Sequence, residues 1–111
     1  MKQGDIYLVN WSPSVGHEFQ KVRPAIVLSG DAILKRSNLI AFVAISSQKA
    51  KHFVDDIFIA KDSENNLFED SVIKMHHISS FDYNRVIKKV GRISEPLLAE
   101  IKIKIREHFN L

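Results

Sequence analysis

The sequence predicts a mostly β domain with some α structure (α+β): a small, strongly bent antiparallel barrel of about five to seven short strands, with one C-terminal helix packed on it. Three observations support this fold. Several short segments alternate apolar and polar residues between turn residues. The segment 39–45 is apolar at every position, which is typical of a strand buried on both faces. Apolar residues near the C-terminus recur with the period of a helix.

Length and composition indicate a single domain over residues 1–111. The chain has 111 residues, of which 45% are hydrophobic, and it has no cysteine. Such a chain can bury a core without crosslinks. The absence of cysteine excludes a disulfide framework, a thiolate zinc site and a cysteine nucleophile. No apolar run is long enough for a membrane span and no signal peptide is expected, so the cytoplasm is the expected compartment.

The strands follow from β-forming residues set between turn signals. Pro24 cannot donate a ladder hydrogen bond and is expected at the start of a strand or on an edge. A helical turn is expected around residues 32–35 in the connector 29–38. The predicted strands cover residues 5–11, 22–28, 39–45, 53–60, 71–78 and 85–93.

The C-terminal helix is expected from about residue 96 to 109. Ser94 can cap it, Glu95 complements its positive end, and Pro96 is tolerated in the first turn. Ile103 falls on the opposite face to the apolar stripe, as an isolated surface isoleucine often does. The stripe expected to face the sheet consists of Leu97, Leu98, Ile101, Ile105 and Phe109.

Basic residues are concentrated in the C-terminal part of the chain. The formal net charge is +3 and the sequence pI is near 9.3. Residues 1–71 carry eight basic and nine acidic groups, whereas residues 72–111 carry eight basic and four acidic groups. This excess is compatible with a nucleic-acid partner, although many unrelated proteins share it.

Antiparallel pairing of the strands at 22–28 and 39–46 would gather polar groups at one rim of the sheet. Arg23 would then neighbour Ser46 and Ser47, and the loop that carries His17 and Glu18 enters the strand at the same rim. This arrangement predicts an anion-binding groove that needs no metal. The surrounding positive charge would come from Lys21, Lys49 and Lys51.

Each of these residues also has a purely structural interpretation. Arg23 could pair with Glu18 or Asp31 on the surface, and the two serines could simply end a strand. His17 could be a solvated loop residue, Glu18 could balance Lys21, and the stretch 49–52 could be a solvated turn.

Other candidate clusters give less support for chemistry. His76 and His77 are adjacent in a predicted strand, so their side chains point to opposite faces and cannot form a ligand pair. Asp55 and Asp56 have the same limitation for paired-carboxylate catalysis. No glycine-rich phosphate loop is present. No metal or other cofactor is therefore expected.

Five segments together resemble the MazF/PemK family of toxin endoribonucleases from type II toxin–antitoxin systems. The combination of the Gly-Asp strand, the Gly-x-Glu loop and Val-Arg-Pro is fairly specific, and the similarity covers nearly the whole chain. The segments are GDIY at 4–7, PSVGHE at 13–18, VRPAIVLS at 22–29, AISSQ at 44–48 and DSVI at 70–73.

The resemblance implies an SH3-like barrel that forms a homodimer and cuts single-stranded RNA, chiefly mRNA, without a metal. It places the family's catalytic arginine on Arg23, its hydroxyl on Ser46 and its loop glutamate on Glu18. Two positions depart from the family pattern: Ser46 replaces the usual threonine, and His17 stands where a serine is usual. Either Glu18 or His17 could serve as the general base, whereas Ser46 is expected to orient a phosphate oxygen. RNA contacts are expected from Lys21, Ser47, Gln48, Lys49 and Lys51.

Partner expectations follow from the same resemblance. An acidic antitoxin segment is expected to occupy the basic groove, because opposite charges complement each other across interfaces. The alternative function is a non-cleaving toxin on the same barrel, either a gyrase poison or an RNA-binding module. The arginine of Val-Arg-Pro and the Ser46 hydroxyl favour the nuclease, since a gyrase poison needs neither.

Overall fold

The structure, a computed structural model, describes residues 1–11, 21–47 and 53–111. Within these ranges the chain forms six strands, two α-helices and a short 3₁₀ turn at Tyr83–Arg85. The strands are β1 (Asp5–Asn10), β2 (Val22–Val27), β3 (Leu39–Ser46), β4 (Ile57–Ile59), β5 (Ser71–Asp82) and β6 (Val86–Arg92). The helices are α1 (Asp31–Leu34) and α2 (Glu95–Phe109).

The strands form one antiparallel sheet in the order β4-β5-β3-β2-β1-β6. Most neighbours in the sheet are also close in sequence, as expected for hairpin-rich β folds. The sheet curls, and α2 packs against its concave side through Leu98 and Ile101. The predicted mostly β antiparallel fold with a C-terminal helix is confirmed, and its six described strands fall within the predicted number.

The apolar segment at 39–45 occupies a central strand with both faces buried. Val43 and Ile45 belong to the core beneath α2. Phe42 and Ala44, which point the other way, belong to a second core on the opposite face. A strand that lacks a solvated face can be apolar at every position, so the sequence interpretation of this segment is confirmed.

The connection between β4 and β5 bridges the two edges of the curled sheet. The backbone N–H of Arg92 in β6 donates to Glu64 O at 3.0 Å, and the amide of Asn66 donates to Val90 O at 3.0 Å. Gly91 lies between these bonds, and a Cβ at this position would be 2.4 Å from Glu64 O. The close contact between this connection and β6 therefore requires glycine at position 91.

Two strands differ from the prediction by more than one residue at an end. Only Ile57–Ile59 of the predicted segment 53–60 is a strand, because Asp56 closes a turn in front of it. The Asp56 side chain accepts the N–H of Phe53 at 3.0 Å and the N–H of Met75 at 2.9 Å. Local carboxylate bonds of this kind compete with strand pairing. In contrast, β5 continues to Asp82, beyond the predicted end at 78.

The C-terminal helix begins after Ser94, whose hydroxyl accepts the N–H of Leu97 at 3.3 Å. It ends at Asn110, which adopts the left-handed conformation common at helix C-termini. Of the predicted stripe, Leu98 and Ile101 are buried, whereas Phe109 in the last turn is 53% exposed. Ile103 is exposed, as expected from the helical period.

Candidate active site

Arg23 lies near the start of β2 and Ser46 at the end of the neighbouring strand β3, and these are the two strand ends that the sequence analysis expects at one rim of the sheet. The β2–β3 ladder pairs Ala25 with Ala44. Continuing this register by two residues sets Arg23 opposite Ser46, and opposite residues of an antiparallel pair share a face of the sheet. Pro24, which lacks an N–H, lies where the ladder stops. The two residues thus lie two positions beyond the last paired residues of β2 and β3, and their juxtaposition stays a prediction.

The consecutive residues Ser46 and Ser47 differ in burial. Ser46 is 2% exposed, whereas the side chain of Ser47 points to the opposite side and is exposed. Arg23 is half-buried on the same face as the second core. A guanidinium held at the edge of a core is oriented by its surroundings, and it keeps its charge under all ordinary conditions.

The predicted loop residues His17, Glu18, Gln48, Lys49 and Lys51 lie outside the described residues. The described residues on either side of them do have defined positions. The N–H of Trp11 donates to Lys21 O at 2.9 Å, so Trp11 and Lys21 lie side by side, and Lys21 is two residues from Arg23. Ser47 directly follows Ser46 at the end of β3.

Lys21 is an exposed residue at this rim with a φ of 66°, which is unusual for a side chain that is not glycine. This left-handed residue turns the chain from the loop into β2. Backbone strain of this kind is common near functional sites. The position is consistent with the predicted RNA contact by Lys21, which stays a prediction.

A cleft of about 360 Å³ opens at the same rim. Among the residues that the structure describes, its charged lining consists of Arg23, Lys88 and Lys89 and one acid, Glu69. Ser47 also lines it, and Phe68, which is 97% exposed, stands at its side. The cleft combines excess positive charge with an exposed aromatic ring, which are the two features that bind single-stranded nucleic acid.

The lysines of β6 were not among the predicted site residues. Leu8 of β1 pairs with both Pro24 and Lys88, which brings β6 close to the start of β2. The available signal in the sequence was the positive balance of residues 72–111. That balance could not indicate which strand would lie beside Arg23, because the pairing of β1 with β6 joins distant parts of the chain.

A second hollow, of about 510 Å³, shares no lining residue with this cleft. It lies between the N-terminus and α1, where Lys2, Asp31 and Tyr83 contribute to its wall. Asp31 accepts the N–H of Gln3 at 3.1 Å. Although this hollow is larger, the cleft beside Arg23 is the candidate site because it contains the arginine and the exposed serine.

The Gly-Asp pair at the start of the resemblance has a structural role. Gly4, with a φ of 93°, takes a backbone conformation that other residues rarely adopt. Asp5 is buried and accepts a 3.0 Å hydrogen bond from Arg92, which also donates to Glu95 at 2.9 Å. Hydrogen bonds to Glu95 and Asp5 raise the pKa of Arg92 above its ordinary value. This network joins β1, β6 and α2, and it reaches the cleft through Lys89, whose Nζ lies 3.6 Å from Asp5 Oδ2.

Fold and cleft together define a small antiparallel β protein with a groove at one rim whose described lining carries three basic residues and one acidic residue. Its sequence matches the family described as PemK-like, MazF-like toxin of type II toxin-antitoxin system over residues 2–109, and the chain belongs to this family. The Endoribonuclease MazF of Staphylococcus saprophyticus is 30% identical over 101 residues, which cover 91% of this chain and 84% of that protein.

Solved structures support the same fold. The crystal structure of MazF from Deinococcus radiodurans superposes with a TM-score of 0.83 at 24% identity, covering 100% of this chain and 97% of the other. An endoribonuclease in complex with its cognate antitoxin from Mycobacterial species gives a TM-score of 0.78 at 11% identity, with 100% and 96% covered. In the described part of the chain, no helix is long and apolar enough to cross a bilayer.

Proposed function

We propose that this chain is the toxin of a type II toxin–antitoxin pair and acts as an endoribonuclease that cleaves single-stranded RNA, chiefly mRNA, without a metal. Family membership and the activity named for the staphylococcal relative support the proposal. The observation that carries it is the cationic cleft at the ends of β2 and β3, which Arg23, Ser47 and Lys88 line. Because the substrate would be mRNA, the site of action would be the cytoplasm.

The proposed reaction is an internal transesterification of RNA. The 2′-oxygen attacks the adjacent phosphorus while a base removes its proton, and the bond from phosphorus to the 5′-oxygen breaks. The leaving 5′-oxygen receives a proton, so the products are a 2′,3′-cyclic phosphate and a 5′-hydroxyl. The step needs a proton acceptor, a proton donor and positive charge near the phosphorane.

Arg23 supplies the positive charge in this scheme. Its guanidinium donates two parallel hydrogen bonds and stays charged, so it can bind the phosphate oxygens as negative charge develops on them. The same permanent charge makes arginine a poor base. We therefore assign proton transfer to Glu18 or His17, and the choice between them is left to a pH profile.

Ser46 acts through Arg23 in this scheme. Ser46 is 2% exposed and does not present its hydroxyl to the cleft. Direct contact between this hydroxyl and a phosphate oxygen, which is the role expected from sequence, therefore has less support than a role in positioning Arg23. Ser47, which lines the cleft, is better placed to contact RNA.

RNA binding is assigned to the cleft and the two loops beside it. Lys21, Ser47, Gln48, Lys49 and Lys51 keep the RNA contacts expected from sequence, and Lys88 adds a cation from β6. Phe68 offers an exposed ring on which an unpaired base can stack. Stacking needs an unpaired base, which accounts for a preference for single strands.

The proposed partners are an acidic antitoxin and a second copy of the chain. Solved relatives include an endoribonuclease in complex with its cognate antitoxin from Mycobacterial species and MazE-MazF from Deinococcus radiodurans. An acidic segment would complement the cations of the cleft. We expect a homodimer at micromolar concentration in sedimentation; a monomer that still cuts RNA would contradict the dimer.

The test is incubation of the purified chain with a long single-stranded RNA in excess EDTA. Discrete fragments with 5′-hydroxyl ends are expected. A matched RNA that carries a 2′-deoxy nucleotide at the cleaved position should remain intact, because the attacking oxygen is missing. Intact RNA in both reactions would instead favour the non-cleaving alternative, and cleavage of the 2′-deoxy strand would contradict the mechanism.

A further inference from the structure

Three metal-ligating side chains converge on the sheet edge next to the end of α2. The Asp55 carboxylate lies 3.2 Å from His76 Nε2 and 3.6 Å from His108 Nδ1. One ligand atom from each residue can be chosen so that all three lie within 4.8 Å of one another. The residues come from the turn before β4, from β5 and from the last turn of α2. They belong neither to the cleft nor to the Asp5 network.

An irregularity in β5 brings His76 into this cluster. Val43 and Ala44 are consecutive in β3, but they pair with Ile78 and Lys74, so residues 75–77 bulge from the ladder. His76 is consequently an exposed residue within a long strand. Bulges commonly redirect a side chain toward a functional position. His76 and His77 are not expected to act together as a ligand pair. This finding is compatible with that expectation, because the other two ligands of the cluster come from other elements.

The remaining two ligands are also held in place. Asp56 fixes the turn 53–56 to β5 through its bonds to Phe53 and Met75, and this positions the adjacent Asp55. The Phe53 ring stacks on His76 with centroids 3.9 Å apart. The imidazoles of His76 and His108 meet edge to face at 5.1 Å. The three ligands are thus fixed by packing before a metal binds.

The ligand chemistry selects a class of metal. Two imidazole nitrogens and one carboxylate oxygen suit Zn²⁺ and its neighbours Co²⁺, Ni²⁺ and Cu²⁺, whereas Ca²⁺ and Mg²⁺ prefer oxygen alone. With metal–ligand bonds of about 2.0–2.2 Å, ligand atoms of a tetrahedral site lie roughly 3.3–3.5 Å apart. The 3.2 Å distance joins His76 Nε2 to Asp55 Oδ1, and the 3.6 Å distance joins His108 Nδ1 to Asp55 Oδ2. Because the three ligand atoms lie within 4.8 Å of one another, small side-chain adjustments would bring them to the separations of a tetrahedral site.

We propose that Asp55, His76 and His108 bind one divalent transition metal ion of the Zn²⁺ class, which holds the C-terminal end of α2 to β5. The fourth position would be taken by water, because the His76 side chain is 40% exposed. The ion is structural: it binds the folded chain and stabilises it against unfolding. It takes no part in RNA cleavage.

The test uses the full chain without a purification tag, freed of metal by a chelator that is then removed. Zn²⁺ alone is titrated against a chromophoric competitor, and Co²⁺ absorption reports the geometry. Binding of one equivalent per chain is expected. Asp55→Asn and His108→Gln should each weaken binding at least about 10-fold to 100-fold, because even supporting groups around a metal contribute that much.

His77→Gln is the matched control, since it removes a histidine next to the cluster in sequence and leaves the three ligands. It should bind Zn²⁺ like the unaltered chain. Thermal unfolding gives a second readout: Zn²⁺ should raise the unfolding temperature of the unaltered chain and of His77→Gln, but not of His108→Gln. His108 lies in the last helical turn, so its replacement leaves the core intact.

Failure to bind Zn²⁺ or Co²⁺ would overturn the proposal, because the cluster would then be only a set of hydrogen bonds. Equal binding by the unaltered chain and His108→Gln would also overturn it. These results are independent of the proposed nuclease activity, since cleavage in EDTA is expected whether or not the ion is present.

Discussion

At the scale of single residues, the proposed cleavage chemistry depends on the side chains of Arg23 and Ser46, which differ in burial. Arg23 is half-buried at the rim of the cleft, and Ser46, on the neighbouring strand, is almost fully buried. A half-buried guanidinium can reach a phosphate, whereas a buried hydroxyl can only act on its neighbours. This difference supports the proposed roles of transition-state binding for Arg23 and of positioning for Ser46.

Replacement of Ser46 tests the positioning role. Ser46→Ala should lower kcat for RNA cleavage about tenfold with little change in KM, because without the buried hydroxyl the neighbouring Arg23 would be less well positioned. Ser46→Thr should keep its activity, since it retains the hydroxyl and stiffens the side chain. Single-turnover kinetics of the two variants, with thermal unfolding as the control for folding, decide the point. A Ser46→Ala protein with unchanged kcat would contradict the role.

Tyr7 gives a pH-dependent prediction. Burial, followed by the charge of Asp5 and the proximity of Tyr83, raises the pKa of Tyr7 above the ordinary 10.0. As pH rises past that ordinary value, the unfolded chain loses the proton first, so the free energy of unfolding falls until the folded protein also loses it. Below pH 10.0 this contribution is fully present.

Tyr7→Phe should lack the part of this fall in the free energy of unfolding that deprotonation of Tyr7 causes. Denaturant unfolding of both proteins between about pH 9 and pH 11 measures it. Parallel loss of stability in the two proteins would show that Tyr7 titrates normally.

At the scale of elements, the decisive contact joins the β4–β5 connection to β6. Three asparagine and aspartate side chains shape that connection. Asp62 accepts two backbone N–H groups, the buried Asn65 donates to Ala60 O at 2.9 Å, and Asn66 reaches Val90 O. These bonds hold the connection against Gly91, and Phe68 on the same connection is thereby placed beside the cleft.

Gly91→Ala should destabilise the fold by about 3 kcal/mol, because its Cβ would overlap the backbone of residues 64 and 65. Gly30→Ala is the matched control, since a Cβ there would meet nothing within 4 Å and its backbone is extended. It should change stability by less than about 1 kcal/mol. Chemical denaturation measures both variants; equal stabilities would contradict the closure through Gly91.

The elements also show what a sequence can predict. Strand β3 was predictable because its burial on both faces leaves an apolar residue at nearly every position. The strand at 53–60 was predicted too long, since the side chain of Asp56 competes with strand pairing through bonds to residues far apart in the chain. The bulge at residues 75–77 was not predictable, because it arises from pairing with β3 and leaves no local pattern.

At the scale of the whole molecule, charge and topology act together. The net charge of +3 is modest, but strand order brings Lys88 from β6 to the cleft that contains Arg23. The sequence indicated Arg23 and Ser46 through the register of two neighbouring strands. It could not indicate Lys88 or the cluster of Asp55, His76 and His108, since these depend on contacts between distant segments.

The contribution of Lys88 is measurable as salt dependence of RNA binding. Lys88→Gln should reduce the slope of log K against log salt by about 0.7, the value for one phosphate contact on a single strand. Lys102→Gln, which removes an equally exposed lysine from α2, is the control and should leave the slope unchanged. Binding is measured with an RNA that carries a 2′-deoxy nucleotide at the cleaved position. Identical slopes for Lys88→Gln and the unaltered chain would place the RNA elsewhere.

The central claim is that Arg23 binds the phosphate in the transition state of metal-independent RNA cleavage. Its most direct test is single-turnover cleavage of one short RNA in EDTA by the unaltered chain, by Arg23→Ala and by Arg23→Lys. We expect Arg23→Ala to lose about 100-fold or more in rate while remaining folded, as when one preorganised donor is removed. Arg23→Lys should recover only part of the rate, because it keeps the charge and loses the bidentate geometry. Cleavage by a folded Arg23→Ala protein at the unaltered rate would contradict the account.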